Sequence, residues 1–123
     1  MDKFDAAFFN ISPREATLMD PQQRLLLTCV WQCFEDAGYN ISDLSESKTS
    51  IFVGVSNSDY MSLLNQKHYE SPWTSTGNAN SMLANRISYC FNLKGPSEVI
   101  DTACSSSLFA IHRAVKSIQV DCC

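Results

Sequence analysis

Histidine is scarce in this chain: two residues, His68 and His112, among 123. With so few imidazoles, and no Cys-x-x-Cys pair among the six cysteines, a zinc site lacks its donors. Basic residues are also few. Nine Lys and Arg against thirteen Asp and Glu leave a net charge of −4. They are scattered rather than gathered in a stripe, which argues against a nucleic-acid partner. No apolar run approaches the ~20 residues that a bilayer span requires. The opening Met1-Asp2-Lys3-Phe4-Asp5 has no apolar centre of the kind a secretory signal carries. The loop-rich character of small secreted proteins is missing too. The cysteines therefore read as free thiols of a cytoplasmic protein: Cys29 and Cys33 share an expected helix, Cys90 ends another, and Cys122 and Cys123 are adjacent. Gly54 and Gly77 stand alone, so no glycine-rich loop is available to cradle a phosphate. There is no internal repeat, low-complexity tract or linker.

What is present suits one domain with a buried core: 45% of residues are hydrophobic and 18% charged. Ser12-Pro13-Arg14-Glu15 reads as a helix start, with Ser12 as cap, Pro13 at the first helical position and Glu15 closing a capping box. That short helix runs through Met19. Asp20-Pro21-Gln22-Gln23 repeats the signal, and the next helix runs to Ala37 with Gly38 ending it. At 100° per residue Leu26, Cys29, Val30, Cys33 and Ala37 form one stripe, widened by Leu27, Trp31 and Phe34. Such a broad apolar face predicts a helix covered on most sides, by more than a two-layer domain or by another chain.

Residues 50–55 read as a buried strand and residues 60–64 as a short helix. Residues 67–75 read as a loop, 78–90 as a helix, 97–102 as a strand and 105–119 as a helix. On the last helix Leu108, Ile111, Ala114, Val115 and Ile118 share a stripe. Helices interleaved with buried strands indicate an α/β fold. Two strands alone make a poor complete sheet, so the chain reads as a piece of a larger domain.

One thiol stands out. Cys104 lies where the second strand turns into the last helix, within Asp101-Thr102-Ala103-Cys104-Ser105-Ser106-Ser107-Leu108. Helix-start N–H groups favour negative charge, which makes a thiol there a better nucleophile. The alternative is a small buried residue at a helix start. Asp101 and Thr102 fix the bend through local bonds, and the three serines cap the helix or line a site. A cysteine nucleophile ordinarily has a histidine base beside it. His112 is eight residues further along the same helix, about 12 Å at ~1.5 Å rise per residue, and is out of reach. His68 reads as a solvated loop residue. Trp31 and Trp73 read as core and loop packing.

The run from Asp101 to Leu108 resembles the active-site signature of β-ketoacyl synthase domains of modular type I polyketide synthases. Other segments match the family in order: Phe8 to Ala16, Met19 to Leu27, Glu35 to Tyr39, Val53 to Ser56, Asn85 to Tyr89, and Gly95-Pro96-Ser97. Ser75 to Ala79 and Ala110 to Val115 resemble the bacterial branch that uses a separate acyltransferase. The resemblance implies a thiolase-like fold, incomplete here. Residues 1–123 correspond to most of the first of two α/β halves, without the opening strand and without the whole C-terminal half. The family's two catalytic histidines and supporting lysine belong to that second half, so neither His68 nor His112 takes their place.

By resemblance, Cys104 accepts an acyl chain from the phosphopantetheine arm of an acyl carrier protein, and its backbone N–H is a candidate oxyanion donor. A malonyl-type extender on a second carrier then loses carbon dioxide and its enolate attacks the thioester. No cofactor or metal is implied as bound directly. The implied partners are acyl carrier protein, a second copy through the full domain, and other synthase modules. Loading domains that only decarboxylate carry glutamine where Cys104 stands, so cysteine implies an elongating parent. Two other readings remain: a non-catalytic remnant that serves as an interaction or dimer piece, and another thiolase-like acyltransferase acting on coenzyme A thioesters.

Overall fold

A computed structural model describes residues 3–69 and 71–120. Cys122 and Cys123 lie outside the described residues. Among the described residues the elements follow in the order α1 (Pro13–Leu18), α2 (Pro21–Asp36), α3 (Ile41–Leu44), β1 (Ile51–Gly54), α4 (Tyr60–Gln66), α5 (Pro72–Asn78), α6 (Met82–Cys90), β2 (Ser97–Ile100) and α7 (Ser106–Gln119). A 3₁₀ turn, Ala103–Ser105, leads into α7.

The strands pair in parallel, with Ile51 opposite Ser97 and Gly54 opposite Ile100. Alternation along β1 sends its side chains to two layers. Ile51 and Val53 pack on the cluster built by Leu27 of α2 and Ile87 and Phe91 at α6. Phe52 turns to Ala114 and Ile118 of α7. The sheet is thus held between α2 and α6 on one face and α7 on the other, an α/β sandwich as expected. The N-terminal segment closes one end of the core with aromatic rings. Phe4 stacks on Phe9 with centroids 5.3 Å apart, and Phe8 meets Trp31 edge-on at 4.4 Å.

Both helix-start signals operate. Ser12 Oγ accepts from Glu15 N–H at 3.1 Å, and Asp20 Oδ1 accepts from Gln22 N–H at 2.8 Å. The side chains three residues on do something else. Glu15 takes Arg86 Nη1 at 2.7 Å. Gln23 is buried, accepting from Arg86 Nε at 3.0 Å and donating to the Thr76 carbonyl at 3.3 Å. These groups tie α1, α2, α5 and α6 together where a capping box was expected.

Three expectations are corrected. The segment 67–75 is not all loop: Pro72 starts α5, with Ser71 before it. Proline's fixed φ suits the first helical position, and α5 then seats closely on α1, since a Cβ on Gly77 would lie 2.8 Å from the Leu18 carbonyl oxygen. The helix expected over 78–90 begins only at Met82, because Asn78 closes α5 and Ala79 is extended (φ −69°, ψ 128°). The buried line of α2 runs through Gln23 and Leu27; of the expected stripe Leu26 and Val30 are half-buried, while Cys29, Cys33 and Ala37 stay exposed.

The largest difference concerns α7. Its small residues Ser106, Ala110 and Ser117 face inward. Of the expected stripe, Ala114 is half-buried, while Leu108, Ile111, Val115 and Ile118 are 73%, 61%, 47% and 65% exposed. A narrow ridge of small side chains lets the helix approach the sheet: a Cβ on Gly54 would lie 2.7 Å from the backbone of Ser106 and Ser107.

Candidate active site

The corner between β2 and α7 is built almost wholly from side-chain-to-backbone bonds. After Ile100 the chain leaves the sheet, and Asp101 Oδ1 accepts from Ala103 N–H at 3.0 Å. Ala103 then adopts φ +54°, a left-handed conformation that a residue with a Cβ seldom takes. Cys104 and Ser105 complete the 3₁₀ turn. Ser105 Oγ turns back to the Thr102 carbonyl at 2.8 Å and to Thr102 Oγ1 at 2.9 Å. Ser106 Oγ accepts from Thr102 N–H at 2.9 Å and lies 2.8 Å from each of the Val55 and Ala103 carbonyls. None of this is capping in the expected sense, since Ser105, the residue before α7, makes no side-chain cap bond. The hydroxyls serve the bend.

Cys104 is a free, exposed thiol in the turn that opens α7. Its expected place, at a strand-to-helix corner ahead of a helix, is the observed one. Beside the corner lies an open cleft of about 670 Å³, between the starts of α2 and α7. Asp20, Asn57, Tyr60, Ala103, Ser106 and Ser107 contribute to its wall. The loop after β1 forms one side, held by Gln22 Nε2 donating to the Asn57 carbonyl at 2.7 Å and by Ser58 donating to Asp20 Oδ2 at 3.2 Å.

Neither histidine joins this corner. His112 is exposed two turns along α7, with Phe109 as its ring neighbour at 6.1 Å. His68 is exposed in a turn after α4. Among the remaining described thiols, Cys29 and Cys33 are exposed and Cys90 is half-buried, and burial pushes the Cys90 thiol up from its ordinary range. Among the described residues, no three His, Cys, Asp or Glu side chains gather as a metal site would need. Trp31 packs in the core as expected. Trp73 sits on α5, with the Arg14 guanidinium 5.4 Å from its ring centre.

Sequence reasoning missed Ser106 as distinct from its neighbours, and Gly54 as the contact point of α7. A small residue at the end of a buried strand is a signal that could have raised Gly54. Nothing local marks Ser106, because its partner Val55 is 51 residues away.

The chain belongs to the β-ketoacyl synthase family: it matches the family described as "Beta-ketoacyl synthase, N-terminal domain" over residues 1–123. Among individual proteins, it is 52% identical over 121 residues to the polyketide synthase PksN of Bacillus subtilis, covering 98% of this chain and 2% of that protein. It is 54% identical over 118 residues to the hybrid PKS-NRPS synthetase apdA of Emericella nidulans, covering 95% of this chain and 3% of that one. Its fold superposes on the ketosynthase from module 6 of the bacillaene synthase of Bacillus subtilis with a TM-score of 0.85 at 43% identity. That match covers 96% of this chain and 19% of the solved one. The thiolase-like α/β class is therefore established, and the chain spans only a small part of its relatives' length.

Proposed function

We propose that this chain is the nucleophile-bearing part of a polyketide synthase ketosynthase, an acyltransferase that extends a chain by decarboxylative condensation. The observation that carries the reading is the strained corner that sets Cys104 ahead of α7, in a member of the β-ketoacyl synthase family. Residues 1–123 are then most of the N-terminal half of the domain, without its opening strand and C-terminal half.

In the first step the Cys104 sulfur attacks the thioester carbonyl of an acyl group carried on phosphopantetheine. The carrier thiol leaves with the proton and Cys104 holds the acyl chain. The Cys104 backbone N–H is one donor to the developing oxyanion. In the second step a malonyl-type extender loses carbon dioxide, and its enolate carbon displaces Cys104 to give the β-ketoacyl product. The covalent intermediate divides one hard condensation into two easier steps. Acyl carrier protein and neighbouring modules are the partners, and the setting is cytoplasmic. A second copy of the full domain is the oligomeric partner. The bacterial branch with a separate acyltransferase rests on the segments 75–79 and 110–115.

His112 stands two turns along α7 from Cys104 and the family's catalytic histidines belong to the other half of the domain, so the 123-residue chain alone is expected to be inactive in condensation. Purified chain incubated with acyl and malonyl carrier proteins, assayed by mass spectrometry, should yield no β-ketoacyl product; formation of product would refute the expectation. In the full-length protein, Cys104→Ala should abolish acyl loading on the peptide spanning residues 95–113 and lower condensation by roughly 10³-fold or more. Retention of loading in that variant would overturn the reading.

A further inference from the structure

The three serines after Cys104 look equivalent in sequence, and the structure separates them. Ser105 and Ser107 are exposed. Ser106 is 4% exposed, and its hydroxyl is the one that reaches out of the corner to the sheet, at the Val55 carbonyl 2.8 Å away. The same oxygen accepts from Thr102 N–H and lies 2.8 Å from the Ala103 carbonyl. One hydroxyl proton is thus shared between two carbonyls while a lone pair takes an N–H.

Ala103 is the strained residue of the corner, at φ +54°. Such a conformation persists only where its surroundings over-determine it. Both of its backbone polar groups are held by side chains from either side in sequence. Its N–H is taken by Asp101 Oδ1 at 3.0 Å, and its carbonyl accepts from Ser106 twice, from Oγ at 2.8 Å and from the backbone N–H. Ser106 is fixed in turn because Gly54 lets α7 sit directly on β1. The chain of contacts runs from β1 through Ser106 to Ala103, and the next residue is Cys104.

We propose that Ser106 and Asp101 are positioning residues: they clamp Ala103 in its left-handed conformation and thereby hold the Cys104 sulfur in its reactive place. The proposal rests on the reading of Cys104 as nucleophile. Without the clamp, Ala103 relaxes to a negative φ and the thiol leaves the head of α7. The backbone groups of Thr102 and Ala103 then turn to water.

The test is limited iodoacetamide labelling of the full-length protein, read at Cys104, Cys29, Cys33 and Cys90 by peptide mass mapping. In the wild type Cys104 labels ahead of exposed Cys29 and Cys33. In Ser106→Ala its rate relative to those two falls about fivefold or more, and Ser106→Thr, which restores the hydroxyl, brings it back within about twofold. Asp101→Ala slows Cys104 in the same direction. Half-buried Cys90 reports general loosening and stays unchanged. If Ser106→Ala speeds Cys90, Asp101→Ala decides, because Asp101 is exposed: a slowed Cys104 supports the clamp and an unchanged one overturns it. Wild-type Cys104 no faster than Cys29 and Cys33 defeats the nucleophile reading itself. Fast labelling of Cys104 in wild type and in both alanine variants leaves the nucleophile standing and removes the clamp.

Discussion

Burial separates Cys90 from the other described thiols, and that has a consequence for stability. Its thiol is raised above the ordinary 9.0, chiefly by desolvation and against the attraction of Arg86. The folded chain therefore holds this proton more tightly than the unfolded chain does. Stability is fully present below pH 9.0 and declines as pH rises through the folded-state value. Thermal midpoints of the chain should fall above that pH, and Cys90→Ala should flatten the decline; equal slopes for the two proteins would count against a protonated, half-buried Cys90. At Cys104 the sequence was legible and its support was not. Asp101 caps its own bend within two residues, which a local pattern can express. Ser106 acts through a strand, which it cannot.

Arg86 links elements that no local signal connects. Its guanidinium spans Glu15 of α1 and Gln23 of α2, with side-chain exposures of 11% for Arg86 and 21% for Glu15. Arg86→Met leaves the buried Gln23 oxygen unpaired and should cost about 2 kcal/mol. That is less than the roughly 3–5 kcal/mol of a fully buried pair, since both partners keep some water. Chemical denaturation of Arg86→Met, Glu15→Gln and the double variant should give clearly non-additive changes. Strict additivity would mean the two side chains do not interact in solution. Gly54 makes a second test at this scale. Gly54→Ala pushes a methyl into the start of α7, with the Ser106 carbonyl carbon at 2.7 Å, and should cost about 1–3 kcal/mol by overpacking. An unchanged midpoint at constant m would show that the helix can retreat. Helix starts at Pro13 and Pro21 were readable because cap and proline act within one turn. The start at Pro72 carries the same proline signal, but Trp73, Thr74 and Ser75 lack an apolar period; packing against Leu18 supplies what the period does not.

At the scale of the whole molecule, apolar surface is distributed unlike the sequence expectation. Trp31 and Phe34, the residues expected to need an outside cover, are half-buried against Phe8 and Phe91. The open face belongs to α7 instead, with Leu108, Ile111 and Ile118 all more than half exposed. A contiguous apolar stripe of that kind drives association. The 123-residue chain on its own should therefore self-associate at micromolar concentration, and Leu108→Glu with Ile118→Lys should reduce this. Sedimentation velocity showing an unmodified, monodisperse monomer would contradict the expectation. No helix among the described residues is long and apolar enough to cross a membrane, so the stripe is not a span.

By itself the sequence determined where most elements begin, that strands and helices alternate, and that a lone cysteine heads the last helix. These are local properties: a cap, a proline ring or a β-branched run acts on its neighbours within about four residues. Tertiary structure decided which face of α7 is buried, which of three serines holds the corner, and why Gly54 and Gln23 matter. Periodicity states that a helix has an apolar face but not what lies opposite it. Here the sheet meets the small residues, because only they allow α7 to come close enough for Ser106 to reach Val55.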